Sequence, residues 1–351
     1  MPTMHKSGEV HRILVVRFSA MGDVLLTTPL VRMLRKRFPD APIDFLVKAP
    51  YEPLLRTNVH LNHILTFSAE KGFPEWIRIL RRIRATTYDT IIDLQANFRS
   101  RLLRLFAKGR ITIPYRPPRW KRFLLVHFRI NTYKETKSVA LRFLDLVSVL
   151  GVEDDGKGLE LWVEEKAKHS VASHFKKRGY QEGEKIIALA PGAGRKTKRW
   201  PTEKYADTGN HFSRIGYRVV LLGGRGDGDV CEEVAQKMDS RAWNFAGQFS
   251  LQETAALLLQ SKLLVSNDTG AMHMAAAVGK PVVAIFGPTT RHLGFMPFRA
   301  SCTVIEKSLP CRPCSYHGTD ACPKGHFRCM REIESSDVIR AAEGLVKKEY
   351  R

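Results

Sequence analysis

The chain has 351 residues, 44% of them hydrophobic and 26% charged, with a formal net charge of +22. That length implies two domains, each with its own core, and the composition excludes a disordered or fibrous chain. No apolar run approaches the roughly 18 residues that cross a bilayer, and Met1 to His11 is too short and polar for a signal peptide, so the expected location is cytoplasmic.

Short apolar segments alternate with helix-period segments along the chain. In the first half, Arg12 to Phe18, Ile43 to Val47, His63 to Phe67, Thr90 to Leu94 and Ile111 to Pro114 predict buried parallel strands. Helices such as Val24 to Phe38 and Pro74 to Ala85 are expected between them. The first strand runs into the small-residue turn Ser19-Ala20-Met21-Gly22-Asp23. Asp23 there is either a helix N-cap or a carboxylate held out for chemistry.

From Leu94 to Lys134 there is no acidic residue, while eleven are Lys or Arg, among them Arg99, Lys108, Arg116, Arg119, Lys121 and Arg122. Aromatic residues, including Phe98, Trp120, Phe123 and Phe128, are interleaved with them. Cationic and amphipathic aromatic side chains together suit an anionic lipid surface, to which each basic residue contributes about 1 kcal/mol. Nucleic acid is the competing polyanion, disfavoured because the chain has no zinc-finger, RNP or recognition-helix pattern. A plain solvated basic face over core aromatics is the third reading.

The alternation breaks at Asp154-Asp155-Gly156-Lys157-Gly158 and a polar helix follows, from Glu164 to Lys177. Domains are therefore expected at 1–165 and 166–333, with a last helix in 334–351. Strands are expected at Lys185 to Ala190, Tyr217 to Leu222, Leu263 to Ser266, Val282 to Phe286 and Cys302 to Ile305. Two doubly wound α/β sheets follow, with ligands outside the carboxyl ends of their strands. The apolar strand at Leu263 runs straight into Asn267-Asp268-Thr269-Gly270-Ala271-Met272-His273. A strand end, a small-residue turn and the open amides of a helix's first turn make a phosphate cradle, to which the Thr269 hydroxyl and the His273 ring could add. An ordinary turn with Asp268 as N-cap is the alternative.

Four of the six cysteines form Cys311-x2-Cys314-x7-Cys322-x6-Cys329. Cytoplasmic disulfides are disfavoured, so the spacing suggests a structural tetrahedral Zn or single Fe site, against four reduced thiols.

The set Gly22-Asp23, Pro191-Gly192 with Lys198-x-Trp200-Pro201, Asn267-Asp268-Thr269-Gly270-x-x-His273 and Gly287-Pro288-Thr289 resembles glycosyltransferase family 9, the lipopolysaccharide ADP-heptose heptosyltransferases. The likeness covers nearly the whole chain in the right order. It implies two Rossmann-like doubly wound domains facing across a cleft, the GT-B arrangement, with the last helix packing back toward the N-terminal domain. Asp23 matches the family's catalytic Asp, expected to act as general base, and Lys198 its phosphate-binding Lys. Asp268, Thr269, Gly270 and His273 would meet the donor sugar and diphosphate. Gly192 and Gly194 would let backbone approach the donor. Ala193 and Gly194 stand where the family often has a hydroxyl residue, leaving amides to bind. An acidic residue for the ribose is expected at Asp227, with Asp229 an equal claimant.

The resemblance further implies an inverting transfer of heptose from ADP-heptose to a phosphorylated inner-core acceptor, Kdo or heptose on lipid A. No catalytic cofactor is expected, and the enzyme would sit peripherally at the inner face of the inner membrane. Another nucleotide sugar, a nucleotide-sugar 2-epimerase of the same architecture, and a non-catalytic protein binding anionic lipid or nucleic acid are the alternatives.

Overall fold

The computed structural model describes residues 10–107 and 109–349, so Lys108 and the residues before Val10 lie outside it. The chain divides into two units, one formed by Met1–Pro117 and Val139–Lys157, the other by Pro118–Ser138 and Gly158–Arg351. The division thus falls at Lys157 rather than at 165, and Pro118–Ser138 groups with the second unit. Local bonds account for the position. Arg32 grips Asp155 through Nε and Nη2 at 2.8 and 2.9 Å, which holds that carboxyl down at about 2. A few residues later the Leu161 N–H donates to the Ala277 carbonyl, in the second unit.

In the first unit β1 (Ile13–Val16), β2 (Ile43–Lys48), β3 (His63–Phe67), β4 (Thr90–Asp93) and β5 (Ile111–Pro114) pair in parallel, in the order β3-β2-β1-β4-β5. Central β1 is buried at every residue, which is why it reads as an uninterrupted apolar run. The helix expected over Val24 to Phe38 is two, Met21–Leu25 and Thr28–Arg37. Pro29 sits in the first turn of the second, where its missing N–H costs nothing, whereas inside one continuous helix it would remove a bond.

The second unit carries β6 (Lys185–Ala190), β7 (Tyr217–Leu221), β8 (Trp243–Asn244), β9 (Leu263–Asn267), β10 (Val282–Ile285) and β11 (Cys302–Ile305). All pair in parallel, in the order β11-β10-β9-β6-β7-β8. Strand order runs outward in opposite directions from the neighbours β6 and β9. The loops after these two strands therefore flank a topological switch point, where open α/β sheets bind ligands. In the first unit β1 and β4 hold the same place, and Asp23 follows β1.

The last helix, Ser335–Glu349, falls in the second unit. Its apolar residues Val338, Ala342, Leu345 and Val346 enter the second unit's own core, against the helix Thr202–Arg214 and β9 to β11. An apolar stripe stays on the sheet that covers it. Among the described residues no helix is long and apolar enough to cross a membrane.

Candidate active site

In the first unit, the turn after β1 is held by Arg17. Its Nε donates to the Ser19 carbonyl (3.0 Å), its Nη1 to Leu94 (2.6 Å), and its Nη2 lies 2.8 Å from Asp23 Oδ2. The same carboxylate oxygen accepts the Ala20 N–H at 3.2 Å, so Asp23 caps its own short helix. Its side chain nevertheless remains about a quarter exposed, at 23%.

The second unit gathers most of the expected donor residues around the loops that follow β6 and β9. Asn267 is fully buried at the end of β9 and spans the two loops. Its Nδ2 donates to the Pro191 carbonyl (2.8 Å) and its Oδ1 accepts the Trp200 N–H (3.1 Å). This crosslink brings the Pro191-Gly192 turn and the lysine loop to the Asp268 turn. There Lys198 Nζ stands 2.8 Å from Asp268 Oδ2, and Thr289 Oγ1 donates to that same oxygen at 2.7 Å. Thr269 is the N-cap residue of the helix Gly270–Ala277, whose first-turn amides open beside this pair. His273 is buried on that helix, at 3% exposure.

Of the two acidic claimants after β7, Asp227 lies at the turn. A Cβ added to Gly192 would sit 2.1 Å from the Asp227 carboxyl carbon, so only glycine permits this approach. Asp227 also accepts the Gly224 N–H at 2.9 Å. Asp229 is exposed on the following helix. Ala193 is buried and its carbonyl accepts from Arg199 Nε (3.0 Å), while Gly194 is exposed.

The cysteine-rich loop braces this site from two sides. Thr319 and Thr197 exchange bonds, Thr197 N–H to Thr319 O at 3.0 Å and Thr319 N–H to Thr197 Oγ1 at 2.8 Å. Gly318, at φ +84°, closes so tightly on the Lys198 stem that a Cβ would meet its Cγ at 2.7 Å. On the other side Arg312 is almost buried, at 8%, and donates to the carbonyls of Phe286, Gly287, Thr289 and Lys307 and to Glu306 Oε2 (2.9 Å). It thereby fixes the Gly287-Pro288-Thr289 turn that supplies the Thr289 hydroxyl. Arg312→Ala leaves four carbonyls without their donor and Glu306 with Arg291 alone, and we expect about 3 kcal/mol less stability, measured by urea unfolding of the tryptophan signal. Arg312→Lys, lacking the fork, should recover less than half. An unchanged midpoint for Arg312→Ala would refute the bracing role.

A structural metal at this loop has no support from the described residues. Cys311, Cys314, Cys322 and Cys329 are all free, and among the described residues no three His, Cys, Asp or Glu side chains converge on a metal position. Burial pushes the Cys329 thiol up to about 11 and raises Cys314 as well, with the neighbouring cysteines of the set adding to both shifts. Cys311 Sγ faces His326 Nε2 at 3.7 Å. The loop is held by Arg312 and the two threonines.

Among the described residues, much of the basic stretch is exposed, with several of its aromatics. Arg99, Arg116, Arg119 and Lys121 are exposed and Arg122 is half-buried over the Phe295 ring. Phe98 (74%), Trp120 (69%) and Phe128 (61%) face solvent, which argues against aromatics kept for the core. Arg104 has a structural role, paired with buried Asp93 at 3.0 Å.

The sequence reading missed the parts played by Asn267, Thr289 and Arg312. The first two stand inside recognisable motifs, and their position was the available signal. Nothing local marks Arg312, whose partners lie 5 to 26 residues away.

Two Rossmann-like parallel sheets, the second with a Lys, Asp and helix N-terminus at its switch point, define a GT-B glycosyltransferase. The family model of glycosyltransferase family 9 (heptosyltransferase) matches residues 76–323. Lipopolysaccharide heptosyltransferase 2 of Salmonella typhimurium is 31% identical over 298 residues, 80% of this chain and 83% of that protein. Among solved structures, a family 9 glycosyl transferase from Veillonella parvula superposes with a TM-score of 0.82 at 25% identity, covering 99% of this chain and all of that one. The ADP-heptose lps heptosyltransferase II of E. coli gives 0.76 at 25% identity, covering 97% and 100%. The chain belongs to glycosyltransferase family 9. This membership decides for a transferase over the epimerase and the non-catalytic alternatives.

Proposed function

We propose that the protein transfers heptose from ADP-heptose to a phosphorylated inner-core sugar of lipopolysaccharide, Kdo or heptose on lipid A, with inversion at the anomeric carbon. The observation that carries the reading is the Lys198 and Asp268 pair beside the N-terminus of Gly270–Ala277, at the switch point of a family 9 sheet. Names of relatives that act on lipopolysaccharide, and a similar structure named for ADP-heptose, support the substrates.

In this reading the acceptor hydroxyl oxygen attacks the anomeric carbon and its proton passes to Asp23. The bond from that carbon to the diphosphate oxygen breaks, and ADP leaves with the electron pair. Lys198 and the amides of Thr269 and Gly270 neutralise the charge that grows on the leaving diphosphate. Gly192, Ala193 and Gly194 offer backbone to the donor, Asp227 serves the ribose, Asp268 orients the sugar and Lys198, and His273 binds the donor from the same helix as the cradle amides. The enzyme works peripherally at the cytoplasmic face of the inner membrane, where Arg99, Arg116, Arg119, Lys121 and Arg122 meet the anionic acceptor and lipid. Its chemistry needs no cofactor in this reading.

Transfer is tested by incubating the protein with ADP-heptose and a Kdo-containing lipid A acceptor and weighing the product. A heptose-sized mass gain is expected; its absence, with ADP still bound, would send the search to other sugars. Reversing Arg116, Arg119 and Arg122 to Glu should weaken binding to vesicles containing anionic lipid at least tenfold at low salt, leaving ADP affinity within about twofold. Lost ADP affinity would show that this segment belongs to the donor site instead.

A further inference from the structure

The second unit contains a cavity of about 480 Å³ that none of the roles above uses. Three guanidiniums, those of Arg129, Arg291 and Arg312, line it against one carboxylate, Glu306. That carboxylate is divided between two of them, 2.5 Å from Arg291 Nε and 2.9 Å from Arg312 Nη2. Arg129 is turned toward carbonyls only, those of Val126, His127 and Cys311. Among its lining residues the cavity therefore carries guanidinium charge in excess of its one carboxylate, which concentrates anions. Guanidinium forks fit the oxygens of a phosphate or carboxylate group.

The rest of the lining sets the ligand's size and kind. Its volume lies in the range that holds a small ligand. Leu125 and Leu309 offer apolar surface to a ring, and Asn131 and Ser308 offer hydrogen bonds to hydroxyls. No Phe, Tyr or Trp lines it, so there is no platform for a nucleobase. Thr290 also lines it, one residue beyond the Thr289 whose hydroxyl binds Asp268, so the cavity adjoins the proposed donor-sugar end.

We propose that this cavity is a second anion subsite, taking an acidic sugar of the acceptor, one that bears a phosphate or carboxylate group on its ring. This assignment rests on the transferase reading above and extends it to the acceptor's position. Arg291 is the side chain that decides it. It is 41% exposed, and its removal leaves Glu306 paired with Arg312, so the fold is kept.

Two measurements test the subsite. With saturating ADP filling the donor site, glucose 6-phosphate is titrated and followed by 31P NMR line broadening, with glucose followed by 1H NMR as the neutral control. Wild type should bind the phosphate, Arg291→Ala at least fivefold more weakly, Arg291→Lys in between, and none of the three should bind glucose. In steady-state transfer, Arg291→Ala should raise the acceptor KM about tenfold and leave the donor KM within twofold. Equal phosphate binding by wild type and Arg291→Ala overturns the subsite. Weakened phosphate binding with an unchanged acceptor KM means the cavity takes a free phosphate compound, and overturns the acceptor assignment. Wild type that transfers nothing sinks the functional reading and the acceptor assignment together, while the titration alone still supports or overturns the anion subsite.

Discussion

Asp23→Asn is expected to cut turnover by about 10² to 10⁴ while ADP affinity stays within twofold, because the change removes a proton acceptor and little else. Asn keeps a side-chain acceptor at this third position of the helix, so its Oδ1 can still receive the Ala20 N–H that Asp23 accepts at 3.2 Å. Arg17 loses its carboxylate partner but keeps the Ser19 and Leu94 carbonyls, which hold the turn. The substitution thus separates the two readings of this residue. If Asp23 only caps its helix, Asn preserves the rate. Single-turnover kinetics with bound ADP-heptose decide the matter, and a variant within threefold of wild type would exclude a general base here.

The second large effect concerns Lys198. Its ammonium lies 2.8 Å from Asp268 with only 16% of the side chain exposed, and the partner carboxylate is at 9%. A diphosphate arriving at the helix N-terminus has to share this cation with Asp268. Charge is already present on the bound donor and grows as ADP departs, so Lys198 acts in both states. Lys198→Ala should therefore raise the donor KM about tenfold and lower kcat by about 10² to 10³. Asp268→Asn has a different signature. It frees Lys198 from its competitor and removes a negative charge, so ADP should bind at least as tightly as to wild type while turnover falls. Calorimetric titration with ADP beside the kinetics reads both. Tight ADP binding by Lys198→Ala, or a large loss of ADP affinity in Asp268→Asn, would contradict this division of roles.

Strand positions were legible because a buried parallel strand leaves a local mark, a short run of β-branched and aliphatic residues. Leu263 to Ser266 and Lys185 to Ala190 carry that mark, and both form, the first running one residue further to Asn267. The two-residue β8 carries none: Trp243 and Asn244 are a strand only because β7 lies beside them. The break between Met21–Leu25 and Thr28–Arg37 was written in Pro29, yet the apolar periodicity continues through it and masked the stop.

The sequence by itself determined the alternation of strands and helices, the family and the place of each motif after a strand end, since all of these depend on neighbours a few residues apart. Only the tertiary structure decided that Asp227 and not Asp229 reaches Gly192, that Asn267 ties Pro191 to Trp200, and that Arg312 grips the Thr289 turn. Each joins residues separated by tens of positions, and such pairs meet only once strand order and burial have fixed where the loops emerge. In a buried site every donor must then find an acceptor, and the sheet order decides which one it finds.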